Sequence, residues 1–153
     1  MSTELSQEQK TRIMHYSKIA NLLKAMKERF GEDAYQVLVE QNGEEAIREW
    51  REIALSNDDN SIETLIKCLW EPLRDEGFEY ELEERGTGFQ LKCTRCGLYD
   101  LARHLGITEE AYYMFCEADP YITEGFNPNI GFKRTKTLMQ GHGCCDHYYY
   151  MKA

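Results

Sequence analysis

The spacing of apolar residues changes once along this chain, and the change limits the folds that are open to it. Up to Leu73 the apolar residues recur every three or four positions, which is typical of amphipathic helices. From Phe78 onward they alternate with glutamates, which is typical of a strand with one solvated face. A chain of 153 residues, 42% of them hydrophobic, is long enough to bury one core. The sequence therefore predicts an α+β fold that begins with helices.

Three helices are predicted before the first strand. They cover residues 5–30, residues from about 32 to 55, and a third segment that Asn60 caps and that ends near Leu73. The Asn42-Gly43 pair marks a point where the second helix can break or bend. We expect residues 1–58 to form an N-terminal helical region and residues 59–153 a cysteine-rich α+β region of the same compact domain. Because amphipathic helices can pair across a two-fold axis, one expectation is a homo-oligomer formed through the N-terminal helices.

Two β-hairpins are predicted in the second half of the chain. The first joins residues 78–83 to residues 89–93, and its alternation places Cys93 on the buried face. The second joins residues 130–139 to residues 144–151 through a glycine-containing turn. We therefore expect an antiparallel sheet of about four strands (two hairpins), with helices packed on one face.

Two short helices are predicted between the hairpins. The first covers residues 98–105, and the second starts with Thr108 as its N-cap and ends at Pro120. In the second helix Cys116 and Asp119 lie three positions apart and so share a face, where a thiol and a carboxylate can act together. The alternative interpretation is a buried core cysteine beside an aspartate that ends the helix.

The charge and hydropathy of the chain argue against nucleic acid and against membranes as partners. The chain has 27 acidic and 18 basic residues, a net charge of −9, whereas nucleic-acid-binding proteins need a basic stripe. No apolar run approaches the roughly 18 residues of a membrane span. The first ten residues, MSTELSQEQK, lack the apolar core of a signal peptide. We therefore expect a cytoplasmic protein that binds neither nucleic acid nor a membrane.

The placement of the cysteines narrows the chemistry further. Five of the six cysteines lie between Cys93 and Cys145, and two of the four histidines flank the last pair. In the cytoplasm such clusters bind metal or do thiol chemistry more often than they form disulfides. The candidate ligands of a metal ion, zinc for example, are Cys93, Cys96, Cys116, Cys145 and His142. Their spacing matches no standard structural zinc motif, so the sequence makes no cofactor certain.

Residues 141–147 form the densest group of reactive side chains. In a strand, Cys145 and His147 project to one face, while Cys144 and Asp146 project to the other. A cysteine two residues from a histidine on one face can be a thiolate–imidazolium pair or two metal ligands. The alternative is an aromatic edge strand whose polar residues are merely exposed.

A basic segment precedes this group. In a strand, Arg134 and Lys136 share a face with Phe132 and Leu138. Charges on a mostly apolar face suggest that they bind a carboxylate. The alternative is that they solvate an edge strand.

Taken together, these residues resemble the L-2-amino-thiazoline-4-carboxylic acid hydrolase family. The resemblance rests on Phe115-Cys116-Glu117-Ala118-Asp119, on Arg134-Thr135-Lys136-Thr137-Leu138-Met139-Gln140-Gly141, and on Cys145-Asp146 followed by aromatic residues. It covers about residues 60–153, and the N-terminal helices are similar only in being helical. This chain departs from the family pattern at His147, where the family has an aromatic residue, and at Cys144, which doubles the cysteine.

The resemblance implies a hydrolase that opens a small cyclic isothiourea bearing a carboxylate and forms N-carbamoyl-L-cysteine. In one hypothesis the nucleophile is Cys145 or Cys116, which attacks the carbon between the ring nitrogen and sulfur. In this hypothesis Asp119 or Asp146 orients and protonates the amidine, and His147 moves protons. The substrate is a small anion, and Arg134, with Lys136 and Thr137, holds its carboxylate. In the other hypothesis the cysteines hold a zinc ion whose bound water attacks.

A function without catalysis also fits the sequence. The cysteine-rich hairpin could bind a metal or a small ligand in a sensor or carrier domain, without turnover. A third option is a structural domain whose thiols are core residues.

Overall fold

A computed structural model of the protein describes residues 4–153. The helices are α1 (Gln7–Phe30), α2 (Asp33–Leu55), α3 (Ile62–Leu69), α4 (Gly97–Leu105), α5 (Thr108–Phe115) and α6 (Asp119–Phe126). The strands are β1 (Glu79–Arg85), β2 (Gly88–Arg95), β3 (Ile130–Lys133) and β4 (Cys145–Met151). Short 3-10 turns cover Glu71–Glu76, Cys116–Ala118 and Leu138–Gln140. The predicted α+β class is confirmed, and residues 1–3 of the predicted N-terminal region lie outside the described residues.

The four strands form one antiparallel sheet in the order β1-β2-β4-β3. Across the two central strands Cys93 faces Cys145, and Leu91 faces His147. Cys145, His147 and Tyr149 are buried, whereas the residues between them are half-buried. The predicted alternation in both strands is therefore confirmed, and Cys93 does lie on the buried face.

The helices cover one face of this sheet. Trp70, which follows α3, packs in the core with Leu91 and Tyr149, and its indole N–H donates to the Tyr149 hydroxyl at 3.0 Å. A second group of buried residues, including Ala20 and Tyr35, joins α1 and α2 to α5. A cavity lies between this face of the sheet and the helical segments from the end of α3 to α6.

The long N-terminal helices form as the sequence predicts. Ser6 caps α1 with a capping box, and Gly31, at φ +84°, ends that helix. The α2 helix runs unbroken through Gly43, so the predicted break or bend at Asn42-Gly43 is wrong. The ring of Tyr121 on α6 packs where a side chain at position 43 would stand. Gly43 therefore serves close helix packing rather than a bend.

Four predicted helix boundaries are wrong, one of them because α3 ends at Leu69 rather than near Leu73 and a 3-10 turn follows it. Ser61, rather than Asn60, caps α3, because its hydroxyl accepts the N–H of Thr64 at 3.2 Å. Ile107, rather than Thr108, occupies the cap position of α5 and makes no side-chain capping bond. Pro120 lies in the first turn of α6 instead of ending a helix, as proline can where the backbone needs no N–H partner.

Apolar side chains remain exposed on the N-terminal helices. Leu22 and Phe30 on α1 are 61% and 66% exposed, and Val37 on α2 is 61% exposed. The homo-oligomer through these helices stays a prediction. None of the helices in residues 4–153 is long and apolar enough to cross a membrane.

Candidate functional site

A cavity of about 270 Å³ lies between the buried face of the sheet and the helices. Its apolar lining comes from the end of α3, from α4 to α6 and from the turns beside them: Leu69, Trp70, Leu73, Phe78, Leu98, Met114, Phe115, Ala118, Ile122 and Met139. Its polar lining includes Cys93, Cys96, Cys116, Asp119, Arg134, Thr137, Cys145 and His147. Wider surface clefts of about 540 and 710 Å³ occur elsewhere, but no cysteine lines either of them. The reactive side chains therefore converge on the smaller cavity.

Cys145 is surrounded by hydrogen-bond donors. It is 8% exposed at the start of β4, and its Sγ accepts the backbone N–H of Leu138 at 3.2 Å. The neighbouring Cys93 thiol is the largest cause that lowers the pKa of Cys145, and His147 and the Leu138 N–H lower it further, against the opposing effect of burial. The Cys93 Sγ itself donates to the carbonyl of Arg95 at 3.1 Å. Cys145 is therefore stabilised as a thiolate, the form in which a cysteine is a nucleophile.

The other three cysteines of the cavity have the opposite tendency. Burial raises the pKa of Cys96 to about 11 and also raises the pKa of Cys116. Pairing with Cys145, together with burial, raises the pKa of Cys93. These three thiols therefore stay protonated at neutral pH, in contrast to Cys145.

An ion pair lies beside this thiol. The Arg134 Nη1 lies 2.5 Å from Asp119 Oδ2 and donates to the carbonyl of Cys116 at 3.0 Å. His147 Nδ1 lies 4.0 Å from the same Asp119 oxygen. Burial raises the pKa of Asp119, while His147 and Arg134 oppose the rise. His147 thus lies between the Cys145 thiol and the Asp119 carboxylate, and at 4.0 Å its Nδ1 is not hydrogen-bonded to Asp119.

His147 is held in place mainly by aromatic rings. Its ring lies 4.9 Å from the ring of Trp70 and 5.4 Å from that of Phe132. Among the buried side-chain nitrogen and oxygen atoms of residues 4–153, His147 Nδ1 is the one without a hydrogen-bond partner. A buried nitrogen without a partner next to a carboxylate is poised to bind a ligand or to move a proton.

The structure brings Cys116 and Asp119 together, although not on one α-helix. Cys116 begins a 3-10 turn and Asp119 begins α6, so the predicted single helix is wrong. Residues three apart still stack in a 3-10 turn, which explains why both side chains reach the cavity.

The predicted long strand at residues 130–139 is also wrong, because β3 ends at Lys133. Arg134 turns inward to Asp119, and its side chain is only 8% exposed. Thr137 is buried and lines the cavity, whereas Lys136 is exposed and does not line it. Arg134 and Lys136 therefore do not share a strand face.

Asp146 has a place outside the cavity. Its carboxylate accepts the backbone N–H groups of Thr135 and Lys136 at 2.8 and 2.6 Å. Partial burial opposes ionisation, but these bonds and that of the Thr135 hydroxyl lower the pKa of Asp146. Asp146 thus holds the loop that carries Arg134, and it does not line the cavity.

The five candidate metal ligands are only partly assembled. Cys93, Cys96, Cys116 and Cys145 line the cavity, but His142 is exposed and its Nδ1 accepts the N–H of Thr137 at 3.1 Å. Over residues 4–153, no group of three or more His, Cys, Asp or Glu side chains is arranged to hold a metal ion. A bound zinc ion stays a prediction.

Some contacts of the site could not be predicted from the amino-acid sequence. The N–H of Leu138 is a backbone group, and only the path of the loop aims it at Cys145. Trp70 could have been found, since it continues the apolar stripe of the third predicted helix, but its contact with the ring of His147 depends on the tertiary fold.

The chain is similar to a known protein family and to a solved structure. A family model described as L-2-amino-thiazoline-4-carboxylic acid hydrolase matches residues 8–149. Among solved structures, the phenol-responsive sensory domain of the transcription activator PoxR, determined with phenol, is similar with a TM-score of 0.55 and 12% sequence identity. The match covers 88% of this chain and 73% of that chain, and at this identity it shows the fold alone. No curated protein sequence is significantly similar to this chain.

Proposed function

This chain belongs to the L-2-amino-thiazoline-4-carboxylic acid hydrolase family, and we propose that it hydrolyses a small cyclic amidine of the thiazoline-carboxylate type, with Cys145 as the nucleophile. The observation that carries the proposal is the position of Cys145, whose thiolate is stabilised beside His147 in a cavity of small-molecule size. Membership of the family supports hydrolase activity in general. The specific catalytic steps are proposed from the side chains that line the cavity.

The reaction has two steps. The Cys145 thiolate attacks the carbon between the ring nitrogen and sulfur, the ring carbon–sulfur bond breaks, and the released sulfur takes a proton from His147. An isothiourea is then attached to Cys145. Water, deprotonated by His147, attacks the same carbon, and the Cys145 thiolate leaves. The sum adds one water molecule and gives N-carbamoyl-L-cysteine.

Asp119 and Arg134 position the reactants in this scheme. Asp119 lies beside His147 Nδ1 and stabilises the imidazolium that forms when His147 takes a proton. Arg134 is the cation of the cavity lining, and the part of its guanidinium that does not contact Asp119 can hold the substrate carboxylate.

The proposal is tested by turnover of L-2-amino-thiazoline-4-carboxylate. Cys145→Ser is expected to lower kcat by roughly a thousandfold, because a hydroxyl at this position is not ionised at neutral pH. Cys144→Ser is the matched control, since Cys144 is the neighbouring cysteine and does not line the cavity. Full turnover by Cys145→Ser would rule out this nucleophile.

A second candidate function is the binding of a small ligand without turnover. It is favoured by the largely apolar cavity lining and by the fold shared with a phenol-responsive sensory domain. Calorimetry separates the two functions, because a sensor binds its ligand stoichiometrically and releases it unchanged, whereas the hydrolase continues to produce heat until the substrate is consumed.

A further inference from the structure

The cavity is larger and less polar than the simplest thiazoline carboxylate requires. Its volume of about 270 Å³ is close to the lower limit of roughly 300 Å³ for pockets that bury drug-sized ligands. The bare 2-amino ring with its carboxylate is much smaller than such a ligand. Part of the cavity would therefore stay unfilled around it.

The unfilled part would be apolar. Four apolar side chains line this part of the cavity. They are Leu73 in the 3-10 turn after α3, Phe78 just before β1, Leu98 on α4 and Ile122 on α6. An apolar wall gains free energy only when an apolar ligand group displaces water from it. A substrate made of an amidine and a carboxylate alone would not use this wall.

The cavity also has little capacity for anionic groups. Arg134 is the cation among the lining residues, and its Nη1 already contacts Asp119 and the carbonyl of Cys116. Lys133 and Lys136, the neighbouring basic residues, are exposed and do not line the cavity. One carboxylate is thus the most that the site can neutralise, and the rest of the ligand must be uncharged.

Resting on the ring-opening chemistry of the proposed function, we infer that the substrate carries, in place of the 2-amino group, an apolar substituent of about the size of a phenyl ring on the carbon that Cys145 attacks, and so is a cyclic thioimidate rather than an amidine. That carbon lies across the thiazoline ring from the carbon that bears the carboxylate. When Arg134 holds the carboxylate, the substituent points away from the carboxylate and meets the apolar cavity lining, to which Leu73, Phe78 and Leu98 belong.

The balanced reaction of such a substrate resembles that of the parent compound. The thiolate of Cys145 attacks the substituted carbon, the ring carbon–sulfur bond breaks, and water later replaces Cys145 at the same carbon. One water is consumed, nothing is oxidised or reduced, and the product is an N-acyl-L-cysteine whose acyl group is the apolar substituent with its carbonyl.

The experiment compares kcat/KM for the 2-amino, 2-methyl and 2-phenyl forms of L-thiazoline-4-carboxylate with the full chain. The 2-phenyl form is expected to exceed the 2-amino form by about 100-fold, since each methylene-sized group in an apolar pocket is worth roughly 10-fold or more. The 2-methyl form, which lacks the ring, is expected to lie well below the 2-phenyl form.

Two variants identify the wall. Leu73→Asn places an amide in the half-buried wall and is expected to lower the ratio of 2-phenyl to 2-amino activity by at least about tenfold. Leu55→Asn is the control, because Leu55 is exposed at the end of α2 and leaves that ratio unchanged.

The outcomes separate this inference from the proposed function. Turnover of the 2-amino form that equals or exceeds that of the 2-phenyl form overturns the inference and leaves the hydrolase intact. The inference also fails when Leu73→Asn and Leu55→Asn have the same ratio as the unmodified chain. Absence of turnover with all three compounds overturns the proposed function, and the inference with it.

Discussion

Replacing Cys93 with alanine tests how the fold makes Cys145 reactive. Cys93 faces Cys145 across the two central strands, is 1% exposed, and is the largest cause of the lowered pKa of Cys145. A hydrogen bond to a charged group contributes about 1.5–3 kcal/mol. Since one pKa unit corresponds to about 1.4 kcal/mol, Cys93→Ala is expected to raise the pKa of Cys145 by roughly one to two units.

The assay is the rate at which iodoacetamide alkylates Cys145, measured from pH 3 to pH 10 with the modified peptide identified by mass. Only the thiolate reacts, so the rate falls about tenfold for each pH unit below the pKa. The midpoint is expected to lie far below the usual thiol value in the unmodified chain and to move to higher pH in Cys93→Ala. Cys93→Ser keeps a donor and should restore part of the shift.

The result that would refute this reasoning is a Cys93→Ala profile that superimposes on that of the unmodified chain. The loss of a buried sulfur also lowers the free energy of unfolding by about 1 kcal/mol. Circular dichroism at each pH therefore serves as the control that Cys145 is alkylated in the folded protein.

Two further predictions concern stability. Arg134→Met leaves the Asp119 carboxylate buried without its partner, so we expect the free energy of unfolding to fall by about 3–5 kcal/mol and Tm by roughly 6–20 °C in calorimetry. An unchanged Tm would mean that the pair is not formed. Gly125→Ala would place a Cβ 2.6 Å from the carbonyl oxygen of Ile47, so α6 must move from α2 and the loss is expected to be about 1–3 kcal/mol. Gly143→Ala, which meets no atom within 4 Å, is the control in urea denaturation, and equal losses in the two variants would contradict the packing argument.

The faces of the central strands could be predicted from the sequence, but their register could not. Alternation alone places Cys93, Cys145 and His147 on the buried side, because the period of a strand is two. That Cys93 faces Cys145 depends on the pairing of strands more than fifty positions apart, and the period of each strand carries no information about it.

The end of β3 shows why local pattern fails near the site. The alternation of residues 130–139 predicts one long strand, yet the chain leaves the sheet after Lys133. Arg134 pairs with buried Asp119 instead of continuing along a strand, and Asp146 holds the departing loop through Thr135. Both partners are distant in sequence, so a local window cannot predict the break.

The central claim is that Cys145 forms a covalent intermediate, and acid-quenched first-turnover mass spectrometry tests it most directly. With L-2-amino-thiazoline-4-carboxylate in excess, the account predicts a mass gain equal to the whole substrate, because ring opening loses no atoms, and it places the added mass on the peptide with Cys145 as the modified residue. Product formation without an adduct at any quench time would contradict the account, as would an adduct on Cys116. A mass excess matching zinc in the native protein, with turnover lost on chelation, would favour a metal-bound water instead.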